Sequence, residues 1–428
     1  MKVLIVSHNV LSPTSNMGRT LMSYFDGTED MEMAQFYIHD EVPVNKTICR
    51  NYYRFTDKDA IRSLNPFGTY GTVFGEADIC PERLTSRMDS GLLSKLYQVG
   101  AKRTAFIYTA RNILWKFSRW NTHKFWKWVE DFSPDVIFFA SGDYGFMYDI
   151  AHKIAEYVNK PLVVVCVDDY YLYNRNADSF LGRFQHRLFL KAVHKVMVRA
   201  VRIFTICESL KEAYEKLFQI PCDVLHTAAL AMAETADTVY SGQISYLGNL
   251  GLGRAEQLAT MGRAVRRHNG WIDVYSHERN PEYLRNLTEE NGVRFHGAVG
   301  AEEVLKIMAS SKAVIHTESF DPKFQDITRY SVSTKIADSL MNGPCIIAYG
   351  PEGIASIDYL KENRAAYVIS DSGDLETGLH RILSDDGLRE EIVSNARVLA
   401  EKNHHPRNNP ANVCKWLEEV CEEWEKTR

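Results

Sequence analysis

Residues 243–254 read Gln243-Ile244-Ser245-Tyr246-Leu247-Gly248-Asn249-Leu250-Gly251-Leu252-Gly253-Arg254. A short apolar run, Gln243–Leu247, ends in three spaced glycines, and a helical pattern opens at Arg254. A strand that turns through glycines into a helix is the building unit of an open α/β sheet, and such sheets bind ligands beyond the carboxyl ends of their strands. Gly248 and Gly251 would let the backbone approach a phosphate, and the helix behind them would present free N–H groups and a positive dipole end. Arg254 adds a forked cation suited to a diphosphate. The spacing is not GxGxxG, so the turn alone also reads as a plain glycine-rich connection.

The unit repeats on the C-terminal side. Strand patterns at Trp271–Tyr275, Val293–His296, Ala313–His316, Cys345–Ala348 and Ala366–Ile369 are mostly followed by helical ones, at Pro281–Asn291, Glu302–Ser310, Thr334–Asn342 and Ser372–Leu383. Repeated βα units predict a parallel, doubly wound sheet. The N-terminal half gives a looser version, with buried-type runs at Lys2–Ser7, Gln35–His39, Val136–Ala140, Leu162–Val167 and Ile203–Ile206. The stretch Glu41–Ser94 is rich in turn residues and reads as an insertion. It contains one DxD triplet, Asp57-Lys58-Asp59, which follows no strand and reads as a solvated charge cluster rather than a metal site. Thr227–Ser241 reads as a linker, and Leu388–Lys426 as helical. The expected organisation is residues 1–226 as one Rossmann-like domain, 242–400 as a second, and 401–428 as a helix packing back on the first.

The 428 residues exceed one ordinary core, and 45% hydrophobic with 25% charged residues is ordinary for a folded soluble chain. A formal net charge of -5 argues against broad nucleic-acid binding. The eight cysteines form no CxxC pair and no zinc spacing, which suits a reducing cytosol. No apolar run approaches the roughly 20 residues needed to span a bilayer, and Met1–Ser7 reads as a first strand rather than a leader.

Chemistry-bearing residues lie in loops after strands. In Ser333-Thr334-Lys335-Ile336-Ala337-Asp338, Ser333 or Thr334 would N-cap a helix that stops at Gly343-Pro344. Lys335 in the first turn is unfavourable for the isolated helix, and a bound anion would resolve that conflict. Asp338, one turn beyond Thr334, could accept from two ribose hydroxyls. Phe295-His296-Gly297-Ala298-Val299 ends a strand in a loop whose backbone could read a nucleobase edge. Glu318, in His316-Thr317-Glu318, could bind sugar hydroxyls or serve catalysis. In the first half, Asp143, Asp168 and Asp169 lie at strand ends and are candidates for a catalytic base.

These motifs together resemble the GT-B glycosyltransferases that build bacterial polysaccharides and glycolipids (the family 4, or group 1, class). The resemblance covers most of the chain and is strongest from Gln243 to Ile369. It implies two Rossmann-like domains with parallel sheets facing a central cleft, an N-terminal one for the acceptor and a C-terminal one for the donor. It implies that Lys335 and Arg254 bind the donor pyrophosphate, Asp338 the ribose, and Gly297 and Val299 the base. The glycine-bearing loop His8–Thr20, with Gly18, would lie against the donor phosphates. The implied reaction is hexosyl transfer from a UDP- or GDP-linked sugar to a glycan or lipid-linked acceptor, with no metal and no cofactor beyond that donor. Many retaining members carry Glu-x7-Glu, whereas here the position eight before Asp338 is Tyr330. A sugar-nucleotide epimerase and a non-catalytic nucleotide-sugar-binding protein are the alternatives.

One stretch suggests a place in the cell. Lys102–Trp128 holds seven Lys or Arg, no Asp or Glu, and four of the seven tryptophans. Read as one helix, it puts Phe106, Ala110, Ile113, Leu114, Phe117, Trp120 and Trp128 on a core face. Trp115, Trp126, Lys116, Arg119 and Lys127 fall opposite, as suits an anionic leaflet. The expectation is a cytoplasmic protein, peripheral on the inner face of the cell membrane.

Overall fold

A computed structural model describes residues 1–12, 16–28, 30–79, 105–173, 179–229 and 244–427. Most of the linker Thr227–Ser241, Gln243, and residues 80–94 of the turn-rich stretch lie outside the described residues. The chain divides into two compact units. Unit 1 comprises Met1–Leu225 with Asn409–Arg428, and unit 2 comprises His226–Asn408, so the chain passes from one unit to the other twice.

Unit 1 is built on an eight-stranded sheet. Its strands are β1 (Lys2–Ser7), β2 (Glu32–Tyr37), β3 (Asn51–Arg54), β4 (Thr72–Phe74), β5 (Val136–Ala140), β6 (Leu162–Cys166), β7 (Arg202–Thr205) and β8 (Cys222–Val224). They run in the order β4-β3-β2-β1-β5-β6-β7-β8, all parallel except the antiparallel β3–β4 pair. The central strands are buried throughout because helices cover both faces, which is why they read as unbroken apolar runs.

The helices of unit 1 are α1 (Asn16–Ser23), α2 (Asp57–Arg62), α3 (Ala105–Phe117), α4 (His123–Phe132), α5 (Gly145–Val158), α6 (Phe180–Met197) and α7 (Glu208–Phe218). Unit 2 carries α8 (Arg254–Arg266), α9 (Pro281–Leu284), α10 (Ala301–Ser310), α11 (Pro322–Thr328), α12 (Thr334–Asn342), α13 (Ala355–Glu362), α14 (Leu375–Ser384) and α15 (Asp386–Asn403). The chain then returns to unit 1 as α16 (Asn408–Lys426). Val413, Leu417 and Val420 of α16 enter the core of unit 1 beside Val3, Ile5 and Val136. Trp416 stacks on Phe204 at 5.3 Å between ring centres.

The sheet of unit 2 has six parallel strands: β9 (Ile244–Leu247), β10 (Ile272–Tyr275), β11 (Val293–Gly297), β12 (Ala313–Thr317), β13 (Cys345–Tyr349) and β14 (Tyr367–Ile369). Their order is β11-β10-β9-β12-β13-β14. In both sheets the chain order reverses about one strand, β1 in unit 1 and β9 in unit 2. The carboxyl end of that strand is where an open α/β sheet leaves a crevice.

Three expectations need correction. The turn-rich stretch contains β3, α2 and β4. Asp57-Lys58-Asp59 is no free-standing charge cluster: it opens α2, where Thr56 and Asp59 form a reciprocal capping box. Asp57 accepts from Arg111 Nε at 3.0 Å and Trp115 Nε1 at 2.7 Å. The third correction concerns Lys102–Trp128. Its described part forms two helices, not one, and Ser118–Thr122 separate them. Trp115 is fully buried, whereas Phe106, Ile113 and Phe117 face outward. Trp126 is half-buried and stacks on Tyr157 at 4.1 Å.

Candidate functional site

In unit 2 the geometry begins at the end of β9. The turn after Leu247 needs Gly253 at φ +78, a left-handed conformation, and a Cβ there would lie 2.5 Å from Ser319 Oγ. The turn delivers Arg254 to the first position of α8. Arg254 Nη2 reaches both carboxylate oxygens of Glu318, at 2.8 and 2.9 Å, and its Nε donates to the Thr317 carbonyl at 3.3 Å. Glu318 follows β12, which lies beside β9, so the pairing follows from strand order.

Glu318 is 2% exposed. Burial pushes its carboxyl above the ordinary range, while the Arg254 guanidinium pulls the other way. Burial works hardest against the charge of Arg254, but Glu318 and Tyr246 together raise the pKa of the arginine. Both oxygens of Glu318 are taken by Arg254, so in this structure Glu318 fixes the guanidinium rather than offering a free edge to sugar hydroxyls. His316 lies beneath, with Nε2 2.9 Å from Ser356 Oγ and 3.8 Å from Glu318 Oε1. Burial and then Arg254 push its pKa down to about 3, so the ring is neutral near pH 7.

The second segment is the start of α12. Ser333 caps it, its Oγ accepting from the Lys335 amide at 3.4 Å, and Thr334 is its first residue. Lys335 is exposed. Its surroundings still lower its pKa by desolvation; Asp338 acts in the opposite direction and Arg254 adds to the lowering. α12 leads into β13, which is parallel to β12 and β9, so its N-terminus stands at the carboxyl edge of the sheet, the edge at which the βα turn after β9 delivers Arg254. Among the described residues, no ion pair or hydrogen bond engages the Lys335 ammonium. Asp338 is buried on the inner side of the same helix.

The ends of β10, beside β9, and of β11, beyond it, complete this region. Gly297 closes β11 at φ +78, and a Cβ there would meet nothing within 4 Å, so the backbone is open to approach. Val299 is half-buried against the apolar core of unit 2. His296 stacks on Tyr275 at 4.8 Å and 16°. That pair offers a flat face at the edge of the sheet, which the sequence reading missed. A Cβ on Gly248 would come 2.6 Å from Tyr246 Oη, and on Gly251 3.2 Å from Asn249 Oδ1, so both glycines keep the turn compact.

In unit 1 the end of β1 carries His8. Its Nε2 is 3.3 Å from Arg111 Nη2, and its ring lies parallel to Tyr144, 5.8 Å away. Arg111 sits over the Tyr144 ring at 4.1 Å. Burial, helped by Arg111, pushes the His8 pKa down to about 4. Asp143, after β5, accepts from Tyr108 Oη at 2.5 Å. These groups come from three separate parts of the chain: the end of β1, α3 and the loop after β5. Of them the sequence reading singled out Asp143, because no local spacing links the rest.

Asp168 and Asp169 divide their tasks. Asp169 is buried and accepts from the amides of Tyr171 and Leu172 and from Tyr214 Oη, so it pins the loop after β6. Asp168 accepts the Asp169 amide at 3.0 Å. Gly18 lies inside α1, where a Cβ would sit 2.5 Å from the Val10 carbonyl oxygen. Its bare Cα therefore lets α1 close on the loop Val10–Ser12. Among the described residues no cluster of His, Cys, Asp and Glu could hold a metal ion.

Residues 253–415 match a family model described as glycosyl transferase-like. In fold, the whole chain is similar to HepE of Anabaena solved in complex with UDP, with a TM-score of 0.63 at 12% identity, covering 98% of this chain and 100% of that one. Sucrose-phosphate synthase from Thermosynechococcus elongatus aligns with a TM-score of 0.61 at 11% identity, over 98% of each chain. The fold is GT-B. A glycosyltransferase from Rickettsia africae shares this GT-B likeness, with a TM-score of 0.59 at 11% identity over 100% of this chain and 99% of the other. In sequence, no curated protein matches the chain.

Proposed function

We propose that the chain is a metal-independent hexosyltransferase. It would move a sugar from a UDP- or GDP-linked donor to a glycan or lipid-linked acceptor in bacterial surface polysaccharide synthesis. The observation that carries this reading is that Arg254 opens α8 after β9 and Lys335 lies in the first turn of α12, both at the carboxyl edge of one parallel sheet, with the Lys335 ammonium unpaired among the described residues. Two cations at one edge of a sheet, beside a helix N-terminus, suit an anion, and a diphosphate fits that demand. HepE, similar in fold, was solved with UDP.

As the sugar bond breaks, negative charge builds on the departing diphosphate. Arg254, Lys335 and the amides opening α12 would hold that charge, preorganised and without a metal. Glu318 keeps Arg254 in place throughout. Asp338 would meet the ribose, and the open backbone at Gly297 and Val299, beside the Tyr275–His296 stack, would meet the base. Unit 1 would take the acceptor. There the Asp143 carboxylate and the neutral His8 ring are the groups able to accept a proton from its hydroxyl. A lipid-linked acceptor would place the protein on the inner face of the cell membrane, with the stretch 102–128 contributing to the contact.

Incubation with a panel of UDP-, GDP-, ADP- and CDP-sugars, followed by product analysis, tests the reading. Transfer, or slow hydrolysis, that persists in a metal chelator supports it. An isomerised nucleotide sugar would make the chain an epimerase. Binding without turnover would make it a nucleotide-sugar binder, a reading that Tyr330 keeps open by standing where many retaining members have Glu.

A further inference from the structure

An apolar strip on the surface of unit 1 plays no part in the sites above. Helix α3 leaves Phe106 72% and Phe117 66% exposed, and α6 leaves Phe180 80% exposed, with Phe184 and Leu188 half out. The two helices pack on each other and on α5. Between them lies an open groove of about 490 Å³, lined by Ile113, Trp115, Phe146, Ile150, Phe184 and Leu188. Lys116 and Lys153 stand at its edge, with Asp149 the acidic side chain there. Folded monomers rarely expose so continuous an apolar surface without a use for it.

The charge around the strip is one-sided. Neither α3 nor α6 contains a single Asp or Glu. On α6, Phe180, Phe184 and Leu188 follow one another four residues apart, and so do Arg187, Lys191 and Lys195. Both rows are on the exposed side of the helix. This cationic surface belongs to a chain whose net charge is -5. A protein partner would favour a strip depleted of lysine at its centre. Bulky apolar groups bordered by lysines and arginines instead match the boundary between acyl chains and headgroups.

We propose that α3 and α6 form a docking surface for an anionic phospholipid leaflet, with the groove receiving an acyl chain and the α6 cations meeting lipid phosphates. This surface differs from the one expected from sequence. It uses α6 and, on α3, the exposed Phe106, Ile113 and Phe117, which the helical wheel put on the core face. It also does not depend on the transferase reading.

The test is sedimentation of the full chain with phosphatidylcholine vesicles, with and without phosphatidylglycerol. The expected result is binding to the phosphatidylglycerol vesicles that weakens with added salt. The Arg187→Glu/Lys191→Glu/Lys195→Glu variant should partition at least about tenfold less, since each cation near an anionic surface contributes separately. Phe184→Ser/Leu188→Ser should weaken binding as well, with an unchanged thermal unfolding midpoint. A mutation-free check is quenching of the wild-type tryptophan emission by bromine-labelled acyl chains, because Trp115 lines the groove. A wild type that fails to sediment with phosphatidylglycerol vesicles, or undiminished binding by either folded variant, overturns the proposal.

Discussion

The two strand-end clusters are built in opposite ways. In unit 2 the working groups come from short, continuous segments: a glycine turn feeding Arg254, and a capped helix start carrying Lys335. In unit 1, His8, Tyr108, Arg111, Asp143 and Tyr144 come from loop and helix segments that only the completed fold brings together. Both clusters stand where the strand order of their sheet reverses. The contrast suits their proposed tasks. A diphosphate is a constant ligand that backbone amides and two cations can hold, whereas an acceptor varies and demands a surface assembled from many side chains.

Several measurements would break or sharpen that comparison. Asp143→Asn, in unit 1, should lower turnover by about 10²–10⁴, as loss of a general base does, while leaving the thermal shift given by the donor intact. Equal loss of donor binding would erase the division of labour. In unit 2, Glu318→Leu removes one partner of a buried ion pair and should destabilise the protein by about 3–5 kcal/mol in urea unfolding. A near-wild-type midpoint would show that Arg254 does not depend on it. Lys335→Ala should cost about 10²–10³ in transfer and weaken donor binding, since it removes charge opposite the leaving diphosphate.

The pH dependence should be felt in both units. His316 and His8 are held neutral, with pKa values pushed down to about 3 and about 4. A depressed histidine leaves stability intact above its unfolded pKa of about 6.5 and costs stability as pH falls below that value, because the unfolded chain binds the proton more readily. Between pH 7 and pH 5 the His316→Asn protein should therefore lose about 2 kcal/mol less than the wild type, measured by denaturant unfolding at each pH. The smallest effect expected is from Tyr108→Phe. It removes the hydrogen bond to Asp143 and should cost about 1 kcal/mol, seen as a small drop in urea midpoint.

Much of the frame was legible because buried parallel strands leave unbroken apolar runs. Lys2–Ser7 and Val136–Ala140 match β1 and β5 residue for residue. Asn51–Arg54, Thr72–Phe74 and Cys222–Val224 escaped because strands of three or four residues that include polar ones carry no usable period. At the site, Arg254 and Lys335 could be picked out because glycine turns and helix caps are local chemistry. The Arg254–Glu318 pair could not, since it joins residues 64 apart and depends on β12 lying beside β9. The helical wheel over Lys102–Trp128 failed for a related reason. Its phase ran through Ser118–Thr122, where the chain breaks and α4 starts afresh behind its Thr122 cap.

The late return of the chain through α16 bears on how the protein is made. Val413, Leu417 and Val420 belong to a core that includes β1, which is synthesised well before them. A ribosome would therefore release most of unit 1 with an uncovered apolar seam, and unit 2 would emerge before that seam could close. The N-terminal unit would thus be the last to finish folding. Anything that halts translation shortly before α16 would leave a product with β1 still lacking its cover.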